Sequence, residues 1–344
     1  MLWNENTPFP AVGDLRRIDG IEHIPIHRAI GGGYQFLLGA AIVKHGGRLY
    51  ASWLNSWRRE NDPYSVLAQK CSLDGGRTWQ DDTIIAGASP DGFCHSHGVY
   101  ISHGGRLYAY CPRAKFDYDV YRKLVCEVWE LTEGGWVCRG NAVNDRFWPL
   151  CEPIRVGDHW VMAGLETERA QAAVALSNGS DLFHWRMVEI PNPDGIKCWG
   201  ETTVIDCGDH LHAVVRDSDN DRETALESES YDSGCTWTPL RYANLPMACS
   251  KPCGGILPNG ERYLIFNAAG RWYRRTLVIA VGKEAFERVY IIRDEDLEMP
   301  RFHDGPQEWS YPYAHIADDK LYVVYDQNKE DCELAILPLA SLEK

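Results

Sequence analysis

A chain of 344 residues with 44% hydrophobic residues, 31 glycines, 13 tryptophans and 17 tyrosines has room for one large all-β domain or two ordinary ones, rich in turns and aromatic plugs. A formal net charge of -14 works against binding any polyanion and excludes nucleic acid as a partner. No stretch is apolar for long enough to span a bilayer, so no membrane partner is expected.

The first residues, MLWNENTPFPAVGDLRRIDG, lack a basic segment followed by an apolar run, and the expected location is the cytoplasm. Twelve cysteines are scattered with no CxxC pair, which in that compartment predicts free thiols rather than a disulfide framework. Along the chain one unit recurs: an apolar strand, a polar Gly- or Asp-containing turn, and a second strand opened by an aromatic or aliphatic pair. It appears at 39–53, 97–111, 152–165, 201–216, 254–267 and 313–326, with turns near residues 46, 104, 157, 208, 259 and 318. A hairpin every 50-odd residues matches one four-stranded blade per repeat. Further strand signals (SVLAQKCSL, KLVCEVWEL, AAVALS, TLVIAV) fall between the hairpins, and no long segment has helical periodicity. The predicted fold is all-β, a single six-bladed β-propeller domain over residues 1–344. Residues 1–30 would supply a strand or arm that helps close the ring, and 332–342 would finish the last blade.

In a propeller the innermost strand of each blade lines the central channel. Its first residues, and the last residues of the second strand, therefore face one mouth. That places Gly39, His97, Glu152, Glu201, Lys251 and Tyr311 around the opening. Asn55, Arg113, Glu166, Arg216, Asn267 and Asp326 join them from the second strands. A ring of carboxylates, guanidinium groups, imidazole and phenol marks a site rather than a solvated rim. Cys94-His95-Ser96-His97 brings two imidazoles, suited to proton transfer near neutral pH. His95 and His97 point to opposite faces of a strand, and His97 occupies the place that Glu201 has in its own repeat. Two histidines without a third ligand assign no metal, and no cofactor is expected.

Two segments share the form S-x-D-x-G-x-T-W: Ser72–Trp79 and Ser230–Trp237. Ser177–Trp185 is a decayed third copy. The motif resembles the Asp-box of the sialidase (neuraminidase) superfamily, and the resemblance extends over most of the chain from Gly39 onward. In that family a Glu opens an inner strand, a clamp arginine ends the next, and an Asp-box follows; Glu201, Arg216 and Ser230–Trp237 repeat that order. The resemblance implies that Tyr311 is the nucleophile and Glu201 its base. It also implies that Arg216 and Arg275, or Arg271 in the same segment, hold a substrate carboxylate. The family's Arg-Ile-Pro motif is missing, Phe36-Leu37-Leu38-Gly39 standing in its place, and Asp62 sits in roughly the loop of the family's acid.

The expected activity is that of an exo-acting glycoside hydrolase on a terminal acidic sugar. Tyr311, Glu201 and His97 are the catalytic candidates. Arg216, Arg275, Arg271, Glu152, Arg113, Lys251 and His95 are the substrate-binding ones. The expected partner is an oligosaccharide or glycoconjugate carrying a carboxylate. Two other readings stay open: a lyase acting on a uronate-containing saccharide, and a non-catalytic sugar- or protein-binding propeller. The Asp-box tryptophans Trp79 and Trp237 should be buried, away from the mouth.

Overall fold

All six hairpins form, each as the inner pair of its own antiparallel sheet. The computed structural model describes residues 1–60, 62–117, 120–219, 222–269 and 274–343. Blade 1 consists of Phe36–His45, Arg48–Ser56, Val66–Ser72 and Thr83–Ala86. In blade 2, Cys94–His95 and Val99–His103 both pair with Arg106–Asp117, followed outward by Val120–Thr132 and Gly135–Val143. Blade 3 is similarly broken at its inner edge, Phe147–Pro149 and Ile154–Val156 sharing His159–Glu166, with Gln171–Asn178 and Asp181–Glu189 outside. Blade 4 has Cys198–Asp206, Leu211–Asp217, Thr224–Ser230 and Arg241–Pro246. Blade 5 has Cys253–Ile256, Arg262–Asn267, Leu277–Gly282 and Arg288–Arg293, with Arg16–Arg17 added in parallel at its outer edge. Blade 6 has Trp309–Ala317, Lys320–Gln327 and Asp331–Pro338, and its outermost strand is Glu22–His27 from the start of the chain. The early strand thus closes the ring by pairing with the last one, as its place in the sequence suggested.

Inner strands lie between two neighbouring blades, so both faces are buried and strict alternation is lost. FLLGAAIV in blade 1 is buried without a break. The tight turns that return each inner strand need left-handed backbone, which Gly46 and Gly47 supply at φ 55° and 78°. The Asp-boxes close on themselves. Ser72 Oγ donates to Asp74 Oδ1 at 2.8 Å and accepts from Gly76 N at 2.9 Å, and Thr78 Oγ1 donates to Asp74 Oδ2 at 2.6 Å. Ser230, Asp232, Gly234 and Thr236 repeat the pattern. Trp237 is buried as expected, whereas Trp79 is half-buried. Each indole N–H ends on the glycine carbonyl of its own box.

Three inner strands share an irregularity that shapes the mouth. Register shifts fall between Leu38 and Ala41, between Cys198 and Thr202, and between Ser310 and Tyr313. Each contains a residue in the left-handed region: Gly39 at φ 66°, Gly200 at 82° and Tyr311 at 54°. Bulges of this kind re-aim a side chain next to a site. Glycine takes the conformation without strain, but a tyrosine held there costs about 1–3 kcal/mol and persists only where its surroundings enforce it.

All twelve cysteines are unpaired. Thiol titration of the denatured protein without reductant should therefore count close to twelve. A count lower by two would contradict this and point first to Cys151 and Cys253, which line one cavity.

Candidate active site at the propeller mouth

Thr202 pairs with Val215, which sets Glu201 and Arg216 facing each other at the mouth end of blade 4. Arg216 Nη1 donates to Glu201 Oε2 at 2.8 Å, and Glu201 is only 3% exposed. Burial alone would raise the Glu201 pKa, but Arg216, then Arg274 and Lys251, outweigh it and hold the carboxyl below its ordinary value. Arg216 is held charged in return: burial opposes its charge, and Glu201 and Tyr311 overcome that opposition. Tyr311 arrives from blade 6 on its bulge and packs with Phe36, Leu38 and Leu54. Burial, Glu201 and Glu60 push its phenol far above the ordinary value, and Arg274 and Arg216 pull it partway back. The phenol of Tyr311 is therefore neutral and the carboxylate of Glu201 ionised at neutral pH.

These groups line one cavity of about 500 Å³, together with His97, Trp148, Trp199, Glu60 and Lys329. Arg274 stands 5.6 Å from the centre of the Tyr311 ring, donates to the Cys249 carbonyl at 3.1 Å and faces Glu308 at 3.7 Å. Arg216 and Arg274 thus bring two guanidinium groups to the same cavity. Two guanidinium groups at one cavity suit a planar anion. Lys329 adds a third cation 5.6 Å from the Tyr311 ring and lies 3.8 Å from Glu60. In the stretch Phe36-Leu37-Leu38-Gly39, Leu38 is fully buried and packs with Tyr311.

His97 forms part of the wall, its ring 5.1 Å from Trp148 and 6.1 Å from Tyr311. A Cβ on Gly39 would stand 2.2 Å from His97 Cγ, so glycine is required there for the ring to fit as well as for the left-handed turn. Burial, then Lys251, drops the His97 pKa to about 3 against a smaller upward pull from Glu201, so the ring is neutral at pH 7. Between pH 3 and 6.5 the unfolded chain binds a proton at this position that the folded chain refuses, so stability rises with pH across that window and is lost on acidification. At pH 5 the loss is about 2 kcal/mol. Urea unfolding should show the wild type losing about that much more than His97→Gln between pH 7 and pH 5. Equal losses in both proteins would contradict it.

Other candidates lie elsewhere. Arg275 turns away from the cavity: its Nη1 donates to Gln307 Oε1 at 2.6 Å and its Nη2 faces Asp296 at 3.6 Å. Arg274 is left-handed at φ 48° rather than extended, and its side chain takes the inward side while that of Arg275 does not. Arg271 lies outside the described residues. His95 is locked between the Gly87 carbonyl at 2.8 Å and Glu127 at 2.9 Å. Arg113 stacks on Phe93 and faces Glu127 at 3.5 Å, so both belong to the packing of blade 2. Glu152 pairs with His315 at 2.9 Å in a separate cavity of about 310 Å³, because Pro149 and Pro153 break the inner strand of blade 3 and carry Glu152 down the channel. Lys251 is buried below the mouth and donates to the Pro312 carbonyl at 3.0 Å; it acts on Glu201 and His97 by charge alone. Asp62 caps its own loop, accepting from the Arg58 and Arg59 amides at 2.8 and 3.1 Å, and Glu60 from that loop lines the mouth instead.

Glu60, Lys329, Trp148 and Trp199 are among the lining groups that sequence reasoning missed. The first two sit on loop tips whose course the hairpin repeat does not determine. Trp148 lies four residues before Glu152, and the strand break moved it into the place assigned to that carboxylate.

The model of the BNR repeat-like domain family matches residues 47–323. No curated protein matches the sequence at a significant level. Among solved structures, a protein of unknown function from Dyadobacter fermentans superposes with a TM-score of 0.70 at 15% identity, covering 93% of this chain and all of that one. A Hadza microbial sialidase gives 0.68 at 14% identity over 89% of this chain and 66% of its own. A mutant Trypanosoma rangeli sialidase displaying trans-sialidase activity gives 0.66 at 16% identity over 95% of this chain. The chain spans 60% of that trypanosomal protein and 34% of another sialidase it resembles. At these identities the likeness establishes the propeller and its blade order.

Proposed function

Since the chain belongs to the BNR repeat-like domain family, whose propeller it shares with solved sialidases, we propose that the mouth cavity is the active site of an exo-acting glycoside hydrolase that removes a terminal acidic sugar, sialic or uronic in type, from an oligosaccharide or glycoconjugate. One observation carries this reading: Tyr311, Glu201, Arg216 and Arg274, from blades 4, 5 and 6, border one cavity. Arg216 and Arg274 bind the sugar carboxylate, with Lys329 as auxiliary cation in place of the missing first clamp. The Tyr311 oxygen attacks the anomeric carbon as its proton passes to Glu201, and the bond to the leaving-group oxygen breaks. Glu60 protonates that oxygen. Water then displaces the tyrosyl sugar, with Glu201 returning the proton to Tyr311 and Glu60 accepting one from the water. Trp148 and Trp199 supply apolar faces for the sugar ring.

The neutral His97 beside Tyr311 favours a second reading, a lyase on a uronate-containing saccharide. There the arginines acidify the C–H next to the carboxylate, His97 takes that proton, and Tyr311 protonates the departing oxygen. Incubation with sialylated and uronate-terminated oligosaccharides separates the two. Hydrolysis releases a saturated acidic monosaccharide, whereas elimination gives an unsaturated product with new ultraviolet absorbance. Arg274→Lys keeps the charge but loses the fork and should raise KM by about tenfold, while Arg275→Lys leaves KM near the wild-type value. Release of neither product, or equal effects of the two substitutions, would overturn the assignment.

A further inference from the structure

At the far end of the strand that begins at the mouth with Glu201, the blade 4 hairpin carries Cys207, His210 and His212. These residues form a Cys-x-x-His-x-His segment around the turn at Gly208-Asp209. Ile205 pairs with His212, and the Cys207 amide bonds the His210 carbonyl at 2.9 Å, so Cys207 and His210 face each other beyond that pair. Residues opposite each other in an antiparallel pair share a face, as do residues two apart, and all three side chains therefore emerge on the same side. The Cys207 sulfur and one nitrogen of each imidazole lie within 4.8 Å of one another.

Each imidazole is also held from behind by a carboxylate. His210 Nδ1 lies 2.7 Å from Asp209 Oδ1, and the buried His212 Nε2 lies 2.9 Å from Glu227 Oε2. Glu227 is itself fixed through its other oxygen by Arg241 Nε at 3.1 Å. An imidazole that donates N–H to a carboxylate keeps a lone pair on its second nitrogen, leaving Nε2 of His210 and Nδ1 of His212 as donors. Metal-binding histidines are oriented by such carboxylate partners. Tyr231 stacks on the His210 ring at 5.6 Å and limits its rotation.

We propose that Cys207, His210 and His212 form a binding site for a zinc-class divalent cation, with two nitrogens and one thiolate from the protein and water in the fourth position. The donor set is one that zinc accepts, and Cys207 and His210 are partly open to solvent, which gives the ion and its water a path. Ligand atoms around a tetrahedral zinc with bonds of about 2.0–2.3 Å are separated by about 3.5 Å, so side-chain rotations of about 1 Å close the site. Binding forms one Zn–S and two Zn–N bonds and releases the Cys207 thiol proton to solvent. The Cys207 thiol also gives up its contact with the Ile205 carbonyl, 3.7 Å away. The hairpin lies about 17 Å along the strand from Glu201, so this site is separate from the mouth cavity and stands whether or not the hydrolase reading holds.

Full-length protein, stripped with chelator and reduced, should take up one equivalent of Co²⁺ with a thiolate-to-cobalt charge-transfer band, and Zn²⁺ should displace the cobalt and remove the band. Cys207→Ser should abolish the band, and His210→Gln should weaken cobalt binding by at least tenfold. Cys235→Ser, at an exposed cysteine outside the cluster, should leave the band unchanged. X-ray absorption of the zinc-loaded wild type should show one sulfur and two imidazoles in the first shell, a readout that does not depend on any variant folding. Failure to bind a full equivalent, a band that survives Cys207→Ser, or a first shell of oxygen alone would each overturn the site.

Discussion

Tyr311→Phe is expected to lower turnover on an acidic-sugar substrate by about 100-fold or more while leaving the protein folded. The substitution removes one oxygen and retains the ring, which packs on Phe36, Leu38 and Leu54. The backbone at φ 54° is strained for either side chain, so the two proteins should differ little in urea midpoint. The drop should appear in kcat, because in the proposed mechanism the hydroxyl acts in the bond-making step while Arg216 and Arg274 hold the carboxylate. Steady-state kinetics on purified wild type and variant would test it. A near-normal kcat would end the tyrosine mechanism and leave His97 with Glu201 or Glu60 as the pair to examine.

Glu201→Gln should have two effects at once. In the proposed mechanism it removes the acceptor of the Tyr311 proton, and it leaves the buried Arg216 without its closest counter-charge. Breaking a buried ion pair from one side costs about 3–5 kcal/mol; Arg216 keeps some contact with the cavity, so the expected loss is near the lower figure. A second change, Arg216→Gln, should return part of that stability without returning activity, because it removes the stranded charge. Urea denaturation of the two single variants and the double variant reads this as a cycle. Strictly additive losses would show that the pair is not coupled.

The propeller was legible because its signal is repeated. Six polar turns at near-constant spacing mark six inner hairpins, and each apolar strand beside them has one way to be buried on both faces. Glu201 and Arg216 were legible for a related reason: both belong to one hairpin, at its mouth end, where their side chains pair. Tyr311 followed from its place at the head of the last inner strand, although its left-handed backbone did not. Legibility ended where a local break intervened. Two prolines split the inner strand of blade 3 and carried Glu152 into the lower cavity. Arg274 and Arg275 are chemically identical neighbours, and only the backbone turn at Arg274 decides which faces the mouth. Glu60 and Lys329 approach each other across 269 positions of sequence from two loops that no repeat aligns.

The most direct test of the site is calorimetric titration of the wild type and Arg216→Lys with N-acetylneuraminic acid, glucuronic acid and glucose. The account predicts that at least one of the two acids binds the wild type, that glucose does not, and that Arg216→Lys weakens the acid by about tenfold or more through loss of the fork. Neither acid binding better than glucose, or an unchanged affinity in Arg216→Lys, would contradict a carboxylate held at the propeller mouth.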